Sequence, residues 1–567
     1  MFCSECGNSI EADLRFCSNC GTEVPAADAK ASTGVQGSGS GVVEEEAMDA
    51  FFAPEAAPAT VRETMDKARS AMGHCLVLTH RGALQQALGS GYLDFEISLR
   101  EYFLNRRMAG WKYHLLDASS NRLGLLASNQ WPAYVELLSK AVERMERETR
   151  ASPSAIMIVG DETIVPMAVF DNPMHDEFGN NPDTDVESDL PYATLSTANP
   201  FQDESALAGR FPVGRIPTGG RDSGSVGKNY FIQAAASKGE SITDASGFGV
   251  TAQVWEAASR EVADSIEQVA LVTSPELSLI DSPGFLPPDS RYHYFNVHGS
   301  DRDKQWFGEG YETGCIPVAE PDSLRLPQRL NALATEACYG ARFVGFSPAE
   351  SVLLTALGHK TIAFSGASRI AYGPVQPPVG LADIVTREFL RELKAGQPAG
   401  LAFATGREKV LETAPLTPTD LLTVVEFNLF GDPTLLFPAQ STVKTIDSGS
   451  PSAKAGPKGM GRDPLASVRS SLGRSAGKLR LKMPDVLGDV RASLDATWTS
   501  IRERLNQEVY EKTPALRGVE PSTMRLKLGP GTEALQLVYG IRADHIHVGK
   551  VLYAEKSGRI VKELSSK

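Results

Sequence analysis

Short β-rich runs alternate with longer helical patterns over residues 60–440, and this alternation constrains the fold more than any other feature. Buried-strand patterns such as SAIMIVG, YHYFNV, NALATEA and KTIAFSG are separated by helical stretches such as YVELLSKAVERMERETR and EAASREVADSIEQV. Strands that alternate with helices are joined by right-handed crossovers into a mostly parallel sheet covered on both faces. The region is long for one sheet, so we predict a doubly wound α/β fold in two half-domains, 59–243 and 244–440.

Two Cys-x-x-Cys pairs lie at the start of the chain, and Gly7 and Gly21 follow them. The two-residue gap lets both thiolates of a tight turn face one ion, and glycine permits the positive φ that such a turn needs. A segment this short cannot build an apolar core, so a metal has to supply its folding energy. We therefore predict a zinc ribbon over residues 1–23 with a structural Zn²⁺, because four cysteine ligands leave no position for a catalytic water. The predicted ligands are Cys3, Cys6, Cys17 and Cys20.

Changes in composition mark the other segments. Residues 24–58 contain GVQGSGSG and EEE and are predicted to be a flexible linker. Residues 441–485 are rich in Gly, Ser, Pro and basic side chains and are predicted to be a basic flexible linker. Apolar residues at helical spacing predict a helix over 486–512, and β-rich runs predict a small β-meander over 513–567.

Charge and hydropathy exclude several classes of protein. The net charge of −14 makes a nucleic-acid partner a poor expectation. No apolar run approaches the roughly 20 residues that cross a bilayer, so we expect no membrane span. The start, MFCSECGNSI, lacks the basic and apolar segments of a signal peptide. We therefore expect a cytoplasmic protein whose thiols stay reduced.

Two predicted strands end in reactive residues. YHYFNV is followed by His298 and Gly299, and NALATEA is followed by Cys338. Function collects at the carboxyl ends of strands in an open parallel sheet, so adjacent strands would place imidazole beside thiol. The histidine can then take the thiol proton and return it to a leaving amine, and the N–H groups of Gly299 and Cys338 can hold an oxyanion. The alternative is an inert core thiol and a histidine with ordinary polar partners.

Several segments, in order, resemble the gingipain-type cysteine peptidases of the caspase-like clan. They are AIMIVGDETIVP, ESDLPYATL, GRFPVGRIP, FNVHGS, TEACYGARF, HKTIAFSGAS and EFNLFGDPTLLF. The resemblance implies a caspase-like fold, Cys338 as nucleophile and His298 as general base and acid. It also implies that a carboxylate from the first half orients the histidine, and HDEFGNNPDTDVESD offers Glu177 or Asp176. The alternative for this stretch is a solvated acidic loop, perhaps with a weak Ca²⁺ site.

Three side chains, two of them acidic, indicate which substrate the protein would bind. Glu336 lies two residues before Cys338 and therefore on the same face of the strand, a position that lines the primary specificity pocket in caspase-like enzymes. Asp189 resembles the acid that confers basic specificity in arginine-cleaving gingipains, and Trp306 is a candidate apolar wall. An acid at a pocket base selects a cation, so we predict cleavage after Arg or Lys. Alternatively, Asp189 caps a turn, Glu336 pairs with Arg342 and Trp306 is ordinary packing.

Together these features predict an intracellular cysteine endopeptidase that acts on a protein or peptide substrate. A basic-specific enzyme would also cut its own basic linker. The zinc ribbon or the C-terminal piece would recruit a protein partner. The alternative is a non-catalytic zinc-ribbon interaction scaffold with an inactive peptidase-like domain.

Overall fold

The computed structural model describes, with gaps, residues 73–437 and 485–567; the first part holds the predicted catalytic residues and is here called the catalytic region. The described residues are 73–121, 130–149, 151–176, 179–219, 224–236, 246–279, 290–325, 329–413, 415–437, 485–489, 494–529, 531–543 and 546–567. The predicted zinc ribbon, the linker 24–58 and all but the last residue of the linker 441–485 lie outside them.

The bounds of the elements follow in chain order. The strands are β1 (Gly73–Thr79), β2 (Trp111–Asp117), β3 (Ala155–Val159), β4 (Ala168–Asp171), β5 (Asp185–Ser188), β6 (Val213–Ile216), β7 (Gly247–Ala252), β8 (Val269–Ser274), β9 (Tyr292–Asn296), β10 (Trp306–Gly310), β11 (Gly314–Ala319), β12 (Asn331–Thr335), β13 (Thr361–Ala367), β14 (Tyr372–Gly373), β15 (Phe427–Gly431), β16 (Asp485–Asp489), β17 (Ser522–Gly529), β18 (Thr532–Ala543), β19 (Ile546–Glu555) and β20 (Ile560–Ser566). The α-helices are α1 (Arg81–Leu88), α2 (Tyr92–Met108), α3 (Trp131–Thr149), α4 (Leu190–Thr194), α5 (Ser225–Ala236), α6 (Glu256–Ile266), α7 (Val352–Gly358), α8 (Ala382–Lys394), α9 (Ala399–Leu411), α10 (Pro418–Glu426) and α11 (Ala496–Lys512). Among the described helices, none combines the length and the apolar character that a membrane span requires.

One ten-stranded sheet runs through the catalytic region in the order β2-β1-β3-β6-β15-β13-β12-β9-β7-β8. Neighbouring strands are parallel except β13 and β15, which are antiparallel. Strands β3, β9, β12 and β13 are buried along their whole length, as expected where helices cover both faces of a parallel sheet. The predicted α/β fold is confirmed, and the two predicted halves share one sheet because β15 pairs with β6 from the first half.

A second sheet, of six strands, joins β14 of the catalytic region to the C-terminal lobe, which consists of β16–β20 and α11. Its order is β14-β20-β19-β18-β17-β16, and every paired neighbour is antiparallel. Helix α11 buries Trp498, Leu505 and Val509 in a separate apolar core with side chains of β18 and β19. The predicted β-rich piece is therefore present, but the helix begins at Ala496 rather than at residue 486, because Asp495 caps it and residues 485–489 form β16.

The lobe packs on the catalytic region through a small set of close contacts. Arg542 forms two hydrogen bonds of 2.6 Å with the carboxylate of Asp301. The side-chain oxygen of Asn180 accepts the Gly540 N–H at 3.0 Å, and its carbonyl oxygen lies 2.9 Å from His547 Nε2. A Cβ on Gly540 would lie 1.8 Å from that carbonyl oxygen, so only glycine allows this approach. The lobe is thus held by direct contacts in addition to its covalent connection.

His547 makes this docking sensitive to acid. Burial lowers its pKa to about 4, and the repulsion from Arg542 adds to this lowering, while Asn180 and Asp301 act against it. In the unfolded chain the imidazole binds a proton with an ordinary pKa of about 6.5. The contribution of His547 to the free energy of unfolding is therefore fully present above pH 6.5 and decreases as the pH falls toward 4, by about 2 kcal/mol at pH 5.

Urea titrations at pH 7 and pH 5, followed by Trp fluorescence, measure this loss. His547→Gln keeps a neutral donor and should flatten the pH dependence. Equal pH dependence of the two proteins would contradict this role of His547.

Candidate active site

His298 lies beyond the end of β9, where the β10–β11 hairpin folds over it. His298 and Phe307 exchange two backbone hydrogen bonds of 2.7 and 2.8 Å. This pairing places Glu309 so that its Oε2 lies 2.8 Å from His298 Nε2. A carboxylate accepts the Nε2 proton, which leaves Nδ1 of the neutral ring as the basic nitrogen. That Nδ1 is buried and has no hydrogen-bond partner among the described residues.

The sequence analysis missed Glu309 as the partner of the histidine. Glu177 lies outside the described residues, and Asp176 accepts the Asn180 N–H at 3.1 Å. The signal for Glu309 was the run WFGEGYETGCIPVA directly after the histidine, which has the pattern of a hairpin.

Cys338 lies three residues beyond β12, the strand that pairs with β9. The strand ends meet as expected: a Cβ on Gly299 would lie 1.7 Å from the Cys338 carbonyl oxygen, so glycine is required there. The thiol is 1% exposed and lies 3.6 Å from the Ala371 carbonyl oxygen. Burial raises its pKa, so the resting group is a neutral thiol.

The turn after Cys338 is strained and firmly held. Tyr339 has a φ of 54°, a conformation that costs a non-glycine residue about 1–3 kcal/mol. Its hydroxyl donates to Asp183 at 2.7 Å, and its N–H donates to the Arg369 carbonyl oxygen at 2.9 Å. These bonds fix the direction of the Cys338 N–H, which donates to the carbonyl oxygen of Lys567 at 2.9 Å.

The side chain of Lys567, the residue that follows β20, fills a closed acidic pocket beside Cys338. Its Nζ lies 3.5 Å from Glu336 Oε2 and 3.4 Å from Asp383 Oδ1, and all three residues are fully buried. The ring of Trp255 lies 4.7 Å from Nζ and contributes a cation–π contact. Burial, and next the charge of Asp383, raise the pKa of Glu336, whose other oxygen accepts the Tyr294 hydroxyl at 2.9 Å.

Glu336 lines this acidic pocket, and the structure places Asp189 and Trp306, which were expected beside it, elsewhere. Asp189 does not reach the pocket, because Arg215 holds both of its oxygens at 2.8 and 2.6 Å. Trp306 is 4% exposed and packs against Phe295 at 5.3 Å, so it is a core residue. The aromatic wall is Trp255 instead.

The acidic stretch of residues 175–189, which includes β5, contacts the surroundings of the site through its described side chains. Asp183 binds Tyr339, and Asp185 and Glu187 form ion pairs with Arg369. Within the described ranges, no group of His, Cys, Asp and Glu side chains has an arrangement that fits a metal ion. The alternative of a weak Ca²⁺ site therefore gains no support from the described part of this stretch.

Two family models match the chain. Residues 292–438 match peptidase family C25, and residues 2–24 match a zinc-ribbon domain. The matches confirm the predicted resemblance to gingipain-type peptidases with an N-terminal zinc ribbon, and they support a cysteine peptidase. No curated protein matches the chain.

Several solved structures are similar to this chain at low identity. The Arg-specific cysteine proteinase gingipain R (RgpB) is 11% identical with a TM-score of 0.45, and the match covers 65% of this chain and 78% of that one. A structure described as a protease is 12% identical with a TM-score of 0.44, and the match covers 87% and 91% of the two chains. The Saccharomyces cerevisiae separase–securin complex is 12% identical with a TM-score of 0.29, and the match covers 56% and 17%.

The position of Asp189 predicts a structural phenotype. Asp189→Asn leaves the fully buried Arg215 without a counter-charge, so the free energy of unfolding should fall by about 3–5 kcal/mol. Denaturant titration measures this change. Asp185→Asn is the matched control, because its partly exposed ion pair should contribute less than about 1 kcal/mol. Equal stability of the two variants would show that Asp189 is not the structural partner of Arg215.

Proposed function

We propose that the protein is a cysteine endopeptidase that cleaves peptide bonds after lysine and, less efficiently, after arginine. The observation that carries this proposal is the buried lysine side chain between Glu336 and Asp383, with its carbonyl oxygen on the Cys338 N–H. A substrate bound in the same way would place the carbonyl carbon of its lysine residue beside Cys338.

The reaction follows from the groups around that carbon. His298 takes the Cys338 proton as the sulfur attacks, and the carbonyl oxygen becomes an oxyanion on the N–H groups of Cys338 and Gly299. His298 then gives the proton to the departing amine, which leaves a thioester on Cys338. Water, deprotonated by the same imidazole, hydrolyses the thioester and restores the thiol. Glu309 holds the ring and stabilises its protonated form throughout.

Size and charge of the pocket favour lysine. A Cβ on Gly373 would lie 2.4 Å from Lys567 Cε, so glycine keeps the entrance open for an unbranched side chain. The ammonium group is enclosed by Glu336, Asp383, Trp255 and the Pro374 carbonyl oxygen, the last at 3.4 Å. A guanidinium group carries more atoms into the same space, so it should fit less well.

We infer that the protein works in the cytoplasm, and we assign roles to the zinc ribbon and the C-terminal lobe. We infer that the zinc ribbon binds a structural Zn²⁺ through its four cysteines and, with the C-terminal lobe, brings a protein partner or substrate to the enzyme. Cutting of the basic linker 441–485 by the enzyme itself stays a prediction from the sequence.

Replacing the reacting groups should separate chemistry from binding. In a chain that carries Lys567→Ala, so that the pocket is empty, Cys338→Ala should abolish turnover of a fluorogenic peptide with lysine before the cleaved bond. Glu309→Gln should lower kcat at least about 10-fold with a smaller change in KM, because the imidazole loses its anionic partner. Turnover that survives Cys338→Ala would refute the mechanism. A folded Lys567→Ala chain without any activity would favour the non-catalytic scaffold.

The pocket acids should determine preference for a cation. In the same Lys567→Ala chain, Glu336→Gln or Asp383→Asn should lower kcat/KM for a lysine peptide by about 100-fold, since a buried charge loses its partner. The matching norleucine peptide should lose little, so the lysine-to-norleucine ratio is the measurement. Glu388→Gln, on the same helix as Asp383 but paired with Arg391, is the control. An unchanged ratio in the pocket variants would place the specificity elsewhere.

A further inference from the structure

Strand β20 approaches the candidate site as an extended peptide. It pairs antiparallel with β14, so that Ser566 lies opposite Tyr372 and Ser565 lies opposite Gly373. The Lys567 N–H continues this ladder by donating to the Ala371 carbonyl oxygen at 3.0 Å. Addition of a strand to an exposed edge is a common way to bind a peptide, with main-chain bonds for affinity and a side-chain pocket for specificity.

The edge that β20 uses offers room for a single strand. Within the described residues, β14 is an edge strand of its sheet, and β20 is its only strand partner. Lys567 is fully buried, and Cys338 beneath it is 1% exposed. A peptide therefore cannot reach Cys338 along β14 while residues 560–567, here called the inhibitory segment, remain in place.

Contacts with the catalytic region and with the C-terminal lobe hold the inhibitory segment at the site. Lys562 binds the Asp420 carboxylate at 2.6 Å, and Ser566 Oγ donates to the His547 carbonyl oxygen at 2.7 Å. His547 in turn contacts Asn180 of the catalytic region. The segment is thus anchored to both parts of the molecule.

One short loop connects this anchoring to the reacting residues. Asn180 binds the lobe, and its neighbour Asn181 donates to the Tyr372 hydroxyl on β14 at 3.0 Å. Asp183 of the same loop binds the Tyr339 hydroxyl and the Ile370 N–H, at 2.7 and 3.2 Å. Docking of the lobe and the shape of the cleft are therefore supported by the same few residues.

We propose that the inhibitory segment is a built-in inhibitor, which occupies the peptidase cleft in the orientation of a substrate and must leave β14 before a peptide enters. This inference rests on the proposed function, since it uses the same pocket and the same oxyanion donor. It adds that the intact chain is a latent form and that release of residues 560–567 activates it.

Activity and binding measured on the same variants test the proposal. Lys567→Ala in the full chain should raise kcat/KM for a lysine peptide at least 10-fold, because the segment loses the side chain that anchors it in the pocket and leaves β14 more often. A chain without residues 565–567 should behave in the same way and serves as a second variant. Lys556→Ala is the control, since this lysine of the same lobe is exposed and pairs with Asp495.

A binding assay keeps the test independent of catalysis. In the Cys338→Ala background, a fluorescein-labelled peptide IVKELSSK should bind the Lys567→Ala chain and the shortened chain, but not the chain with its own segment intact. The same peptide with glutamate in place of its last lysine should not bind.

The outcomes are distinct. Equal binding of the labelled peptide to intact and altered chains, or an active wild type that Lys567→Ala does not accelerate, overturns the inhibitory role. If the peptide binds only the altered chains but none of them turns over a substrate, then the result supports occupation of the cleft by residues 560–567 and contradicts the proposed peptidase activity.

Discussion

A lysine ammonium group buried between two carboxylates is the interaction around which the candidate site is organised. Moving such ions out of water costs several kcal/mol each, and only close pairing offsets that cost. Glu336 and Asp383 lie together in the interior, so without a cation one of them has to hold a proton. The pocket therefore favours a positive side chain, and a chain that inserts one is brought into register with the Cys338 N–H. Insertion of one lysine side chain therefore both neutralises the pocket carboxylates and sets the position of the lysine carbonyl group at Cys338.

Two close backbone contacts, in addition to the side-chain hydrogen bonds, hold the site together. Gly299 touches the Cys338 carbonyl group, and Gly540 touches Asn180, each at a distance that no Cβ would permit. The first contact joins the ends of β9 and β12, and the second brings the lobe against the catalytic region. A side chain at Gly299 would separate the ends of β9 and β12, and a side chain at Gly540 would separate the lobe from the catalytic region.

Local pattern and resemblance predicted the strands that lead to the candidate site, because the information lies close to each residue. The strand patterns before His298 and Cys338, and the alternation that placed Glu336 on the same face as Cys338, depend on a few neighbouring positions. Asp189 failed for the opposite reason: its partner Arg215 is 26 residues away in sequence, and nothing near Asp189 shows that a buried guanidinium will bind it. Trp255 follows β7, and β7 pairs with β9. Trp255 therefore contacts the pocket lysine, a place where Trp306 had been expected. The role of Lys567 depends on the pairing of β20 with β14, two strands far apart in sequence, and no local sequence pattern predicts that pairing.

Because residues 560–567 belong to the same molecule as the cleft they fill, their competition with substrate does not weaken on dilution. The local concentration of a tethered ligand is set by the geometry of the tether, and for short tethers it is on the order of millimolar. A free peptide with the same affinity would have to exceed that level to occupy half of the clefts. A substrate that also binds the enzyme at a second site has a raised local concentration at the cleft. Competition with the tethered segment therefore favours substrates that bind at two sites over substrates that only carry the preferred side chain.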